Sequence, residues 1–177
     1  MGILMVVAIP AVTRTIENTR KDTYLSTAKQ YVNQVKTLWA ADGLKCNGSS
    51  VGNTSAIAPG NYYITTDSLN DNILEEGGKS PWKKETAGVV YVHRVADGDT
   101  YKNDYSIYLV DASGNFIGNA ADSLVGVGYD ALARSKVSKL ATNTYELDTS
   151  VTPNVARVTL GANHFDTNYT IRCEVDE

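Results

Sequence analysis

Histidine and cysteine are scarce in this 177-residue sequence, with two of each. That is too few for a His-rich or Cys-rich metal site of the usual spacing, and it argues against a zinc enzyme. Basic residues are not in excess either, since 16 Lys+Arg stand against 20 Asp+Glu for a formal net charge of -4. Nucleic-acid binding relies on neutralising phosphates with a basic surface, so nucleic acid is not expected as the main partner. Proline is rare at 4 residues and glycine ordinary at 14, while 42% of the chain is hydrophobic. This composition excludes collagen-like and disordered chains and fits one ordinary globular domain. Phe and Trp number only 2 each, against 11 Tyr. Tyr buries a ring while keeping a polar tip in water, which suits half-buried strands and surfaces more than a deep apolar core.

Recognisable catalytic arrangements are lacking as well. His93 sits in a strand-like run and His164 in the loop-like Gly161-Ala162-Asn163-His164-Phe165-Asp166, and neither accompanies a Ser or Cys in a nucleophile setting. No Gly-rich phosphate motif follows a strand. An enzyme is not indicated, and neither metal nor cofactor is expected. Asp97, Asp99, Asp104, Asp111 and Asn115 offer oxygens that calcium accepts, but their spacing is not that of an EF-hand and turn chemistry accounts for them. Glycosylation-type triplets begin at Asn47, Asn53 and Asn168. Such triplets arise by chance in an Asn-rich and Thr-rich chain, so no modification is assigned.

What is present concentrates at the N-terminus. From Gly2 to Val12 every side chain is uncharged and apolar. A full membrane crossing needs about 20 apolar residues, and a signal peptide opens with a basic region. The run has neither property and reads as the second half of a longer apolar helix, the alternative being a segment buried in a soluble core. From Val12 to Ala41 there is no Gly or Pro, and Tyr24, Ala28, Tyr31, Val35 and Leu38 recur at helical spacing. These five residues are expected to pack the helix on its domain, with Leu25, Val32 and Trp39 widening the face. Asp42-Gly43 offers a left-handed stop. A helix over 12–41 is roughly 45 Å long, longer than a small domain is wide, so its first half should protrude.

Beyond Gly43, residues 46–61 are rich in Gly, Ser and Asn and read as a loop. Strands are expected over 62–65, 88–95 and 104–110, the last two joined by a tight turn at Ala96-Asp97-Gly98-Asp99. A turn at 111–115 leads into Phe116-Ile117. Ser68 to Glu76 reads as a short helix, and Tyr129 to Arg134 favours helix. Strands are expected again over 145–148, 155–160 and 169–175. The resulting architecture is α+β, one long helix covering one face of an antiparallel sheet.

The stretch Gly2-Ile3-Leu4-Met5-Val6-Val7-Ala8-Ile9-Pro10-Ala11, running into a long amphipathic helix, resembles the N-terminal helix of type IV pilins and pseudopilins. Leu74-Glu75-Glu76-Gly77-Gly78-Lys79-Ser80-Pro81-Trp82 is similar to a segment of pilin-like proteins of Gram-positive bacteria. The resemblance covers residues 2–118 and does not extend over 119–177. It implies residues 1–12 as part of an assembly and anchor helix, with Ile3, Leu4, Met5, Val6, Val7, Ile9, Pro10 and Val12 as assembly residues. Residues 13–177 then form a single pilin-like head. The family's basic leader, its processing Gly and the Glu near the mature N-terminus are not found, so no processing residue is assigned and a shortened helix is expected. The resemblance further implies a filament subunit, partnered by its own copies or related pilins and held in the membrane before assembly. A minor pilin or pseudopilin of a secretion or DNA-uptake system, and a surface adhesin for a host or sugar ligand, are the alternatives. The exterior location so implied favours a disulfide between Cys46 and Cys173 over two buried free thiols.

Overall fold

The computed structural model describes residues 3–46, 49–51, 58–69, 79–119, 125–139, 146–148, 157–159 and 168–176, and the side chains of the first helix from Val12 onward. One helix, α1 (Ile3–Ala40), is continuous through Pro10. It thus joins the apolar run and the amphipathic stretch in a single helix. Proline at this position removes one backbone donor, the bond to the carbonyl four residues back, but does not end the helix. At its C-terminus Asp42, not Gly43, takes the left-handed conformation, with φ 55°. The Gly43 amide then donates to the Leu38 carbonyl at 2.8 Å, closing a Schellman-type cap.

Eleven strands follow among the described residues: β1 (Leu44–Cys46), β2 (Ser49–Val51), β3 (Gly60–Thr65), β4 (Thr86–Asp97), β5 (Thr100–Asp111), β6 (Asn115–Ile117), β7 (Val127–Gly128), β8 (Val137–Lys139), β9 (Glu146–Asp148), β10 (Arg157–Thr159) and β11 (Ile171–Val175). Nine form one sheet in the order β2-β1-β11-β3-β4-β5-β6-β8, with β7 paired to β5, while β9 and β10 pair separately. The β3-β4-β5-β6 part is an antiparallel meander. The β4–β5 ladder runs unbroken from Thr86↔Asp111 to Asp97↔Thr100. Gly98, at φ 60°, makes the two-residue turn possible, since a side chain there would be strained. The C-terminal strand β11 enters between β1 and β3 and runs parallel to β3, the one parallel pairing of the sheet's described strands.

Helix and sheet bury each other. Tyr24, Ala28, Tyr31, Val32, Val35 and Trp39 are fully buried and pack with Ile64, Val90, Val92, Ile107 and Leu109. Each of the larger aliphatic side chains among them contributes about 1.5–3 kcal/mol on burial, and Ala28 less. Leu38 packs against the same core but is only half-buried, and Val32 and Trp39 lie deeper. It also lies beside Gly43, where an added Cβ would stand 3.1 Å from its Cδ2. The opposite sheet face is also covered, with Val89, Tyr91, Tyr108, Val110 and Phe116 forming a second cluster joined by Tyr63 and Tyr169. β4 is therefore apolar on both faces, which explains its near-continuous Val and Tyr run.

One helical expectation is corrected, and a second lies almost wholly outside the described residues. Tyr129–Ala131 and Arg134–Lys136 are separate 3₁₀ turns leading into β8, not one helix. In the 68–76 stretch, helical structure among the described residues is the single turn Thr66–Ser68, and 70–76 lie outside them.

Candidate functional site: the emerging helix and its collar

Tyr24 is the first fully buried residue of the helix, and side-chain contacts with the head reach back to Glu17. No residue from Val12 to Thr23 is fully buried, and Val12 and Ile16 are 58% and 48% exposed. From Ile3 to Tyr24 the backbone rises about 32 Å. Val12 and Ile16 lie one turn apart on this stretch, so their apolar side chains stand in solvent on one side of the helix and not in the core. The side chains of Ile3, Leu4, Met5, Val6, Val7, Ile9 and Pro10 lie outside the described residues, so their exposure is not assigned.

Two loops of the head grip the helix where it emerges. The Trp82 indole N–H donates to Glu17 Oε2 at 3.3 Å, and the same ring meets Tyr24 edge-to-face at 5.6 Å. Arg134 holds Asp22 through both carboxylate oxygens, its Nε donating to Oδ1 at 2.8 Å and its Nη2 donating to Oδ2. That guanidinium lowers the Asp22 pKa below the ordinary carboxylate range, by hydrogen bonding first and by charge in addition. Tyr24 is itself fully buried, and burial, aided by the nearby Asp111 carboxylate, raises its phenol well above the ordinary tyrosine range. The phenol is thus neutral at any physiological pH.

Asp111 organises the end of the head next to this collar. It is buried and accepts from Ser80 Oγ at 2.8 Å, from the Ser113 and Asn115 amides, and from Asn115 Nδ2. The network ties the loop before β4 to the β5–β6 turn, satisfying a carboxylate that would otherwise be costly to bury. Asp111 and Asn115 are thereby far from Asp97 and Asp99, which lie eleven ladder steps away at the exposed hairpin tip, about 36 Å along the strands. The oxygen donors singled out in the sequence are not brought together. Among the described residues no group of three His, Cys, Asp or Glu side chains is placed to hold a metal ion.

Cys46 and Cys173 face each other in register across β1 and β11, with Cα atoms 4.0 Å apart and sulfurs at disulfide distance. His93 is half-buried on the sheet, its Nδ1 hydrogen-bonded to Asn61 Oδ1, while Asn61 Nδ2 donates to the Asn168 carbonyl at 2.8 Å. His164, Asn47 and Asn53 lie outside the described residues. At the far end of the helix, the Lys36 ammonium sits 3.5 Å from the Tyr129 ring centroid and 5.2 Å from that of Tyr105. Asn103, Asp104 and Asp130 complete this open cleft of about 330 Å³.

The sequence left Trp82, Arg134 and Lys36 without partners. Glu17 and Trp82 are 65 residues apart and Asp22 and Arg134 are 112 apart, and no local spacing encodes either contact. Among the described residues no helix is long and apolar enough to cross a membrane. No protein-family model, no curated protein and no solved structure matches the chain.

Proposed function

We propose that the chain is a structural subunit of a type IV pilus or a pilus-like surface filament, assembling through its N-terminal helix and held in the membrane before assembly. One observation carries the reading: a continuous helix extends far beyond its own head, exposing Val12 and Ile16 below the uncharged run Gly2–Ala11. Such a rod has more apolar surface than one subunit covers, and copies of itself are the simplest partner. The helix laid on a mostly antiparallel sheet is compatible with a pilin-like head. The Cys46–Cys173 pair accords with an exterior location, where disulfides persist.

A second reading, ligand binding by the head, has the Lys36–Tyr105–Tyr129 cleft in its favour, where aromatic faces stand beside Asn and Asp side chains. Screening host and sugar ligands against the head tests it. The filament reading is tested by deleting residues 1–12. Self-association and detergent binding should be lost while the unfolding midpoint of the head hardly changes. Unfolding of the head on deletion would make the apolar end part of the core and remove the reading's support.

A further inference from the structure

We propose that the end of the head facing the projecting helix is a docking surface for anionic lipid headgroups, carried by Lys79, Lys83, Lys84 and Lys139. The packing of helix on sheet gives the head a near end and a far end relative to the apolar run. At the near end Glu17 and Tyr24 meet Trp82, and at the far end Trp39 meets Tyr62 edge-to-face at 5.3 Å. Strand β4 starts just after Trp82 and passes Tyr62 at Val92. The loop before β4 and the β5–β6 turn therefore lie at the near end, and the β4–β5 hairpin tip at the far end. Lys139 belongs to the near end because it pairs in register with Asn115, which is bonded to Asp111.

The chain is negative overall, at a formal net charge of -4, yet its charges are sorted between the two ends. The four lysines are exposed, and among the described residues none of them forms an ion pair. The acids around them are already engaged or covered. Glu17 accepts from Trp82, Asp22 is held by Arg134, Asp111 is buried in its network, and Glu85 is half-buried. At the far end the balance reverses, with Asp97 and Asp99 exposed and Lys102 paired with Asp104 at 3.0 Å. A protein of net negative charge approaches an anionic surface by the end where its cations collect.

The near-end lysines are held in place by a built turn. The Ser80 amide donates to the Lys84 carbonyl at 2.7 Å and the Lys83 amide to the Ser80 carbonyl at 2.7 Å, while Ser80 Oγ is fixed on Asp111. Lys83 closes this turn at φ 58°, a left-handed conformation that residues with a side chain rarely adopt and glycine takes freely. The β4–β5 and β5–β6 turns use glycine for that conformation, at Gly98 and Gly114. A lysine kept there instead points to a use for its side chain.

The level of the turn along the helix identifies the partner. Glu17, to which Trp82 is bonded, lies five residues beyond Val12, a rise of about 8 Å past the end of the apolar run. The polar layer on each side of a bilayer is about 5–8 Å thick. With the run sunk in hydrocarbon as far as Val12, Arg14 lies in the headgroup layer, and the Trp82 turn stands at its outer edge. Its lysines are then within a side-chain length of the lipid phosphates. A soluble acidic partner would need no such fixed distance from the apolar run. The inference rests on the filament reading, which places that run in a membrane before assembly.

The full chain is floated with vesicles of phosphatidylcholine alone and of an equimolar mixture of phosphatidylcholine and phosphatidylglycerol. The unaltered chain should bind both through its apolar end and prefer the anionic vesicles by about tenfold or more, since each basic residue at such a surface is worth on the order of fivefold. Lys79→Gln with Lys83→Gln and Lys84→Gln should remove most of that preference, leaving binding to neutral vesicles and the melting midpoint unchanged. Lys45→Gln with Lys102→Gln and Arg172→Gln, which removes as many charges elsewhere on the head, should keep it. Should the collar variant melt lower, the unaltered chain decides, because its preference must vanish in about 0.5 M salt. Equal binding of the unaltered chain to both vesicles, equal loss in both triple variants, or a preference that survives salt overturns the headgroup surface and leaves the filament reading standing. If the unaltered chain binds neither vesicle, both fall.

Discussion

Replacing Cys46 and Cys173 together by Ala should leave a folded head of much lower stability. The two residues are 127 positions apart, so their link closes nearly the whole head into one loop. Chain entropy for a loop of that length corresponds to about 5 kcal/mol, while measured links more often deliver about 2–4. In a domain of this size each 1 kcal/mol moves the melting midpoint by roughly 2–4 °C, so the midpoint should fall by on the order of 10 °C. Both side chains are buried in the helix-side core, and the alanines add the loss of two packed sulfurs. Circular dichroism melts of the oxidised chain, the reduced chain and the double Ala variant separate the contributions. Oxidised against reduced reads the link alone, and reduced against Ala reads the packing. Intact mass should be about 2 Da lower before reduction, from loss of two hydrogens. The reasoning fails if oxidised and reduced chains melt at the same temperature, or if two thiols label on denaturation without reductant.

Val35→Asp should unfold the head, because Val35 is fully buried between helix and sheet and an unpaired carboxylate there costs several kcal/mol. Leu38→Asp should be distinctly milder, since that residue is half-buried at the helix cap, and urea titrations showing equal losses would contradict the packing described. Asp22→Asn tests the collar by pH. The Asp22 pKa is lowered in the folded state, so the Arg134 contact stabilises above the ordinary carboxylate value near 4 and is lost as pH falls through the folded value. The difference in urea midpoint between the two chains, small because both partners are half-exposed, should therefore be present at pH 7 and shrink as acidification carries Asp22 below the ordinary carboxylate range. A difference that persists or grows on acidification would refute the pairing.

The α+β class, the long helix and the central hairpin follow from local chemistry. Tyr24, Ala28, Tyr31 and Val35 share one side of any helix simply by spacing, and Asp97-Gly98-Asp99 between two β-rich runs has one economical conformation. Tertiary structure decided the rest. Spacing puts both Leu38 and Trp39 near the apolar face, and only the packing of helix on sheet shows that Trp39 is the deeper of the two. The insertion of β11 parallel to β3, which brings Cys173 opposite Cys46, joins segments more than 100 residues apart. The grips of Trp82 on Glu17 and of Arg134 on Asp22 likewise come from loops whose own sequence has no period to read. Periodicity reports which face of an element is apolar. Which partner meets that face is set by burial and pairing over the whole domain, where energy is gained only once distant segments have closed together.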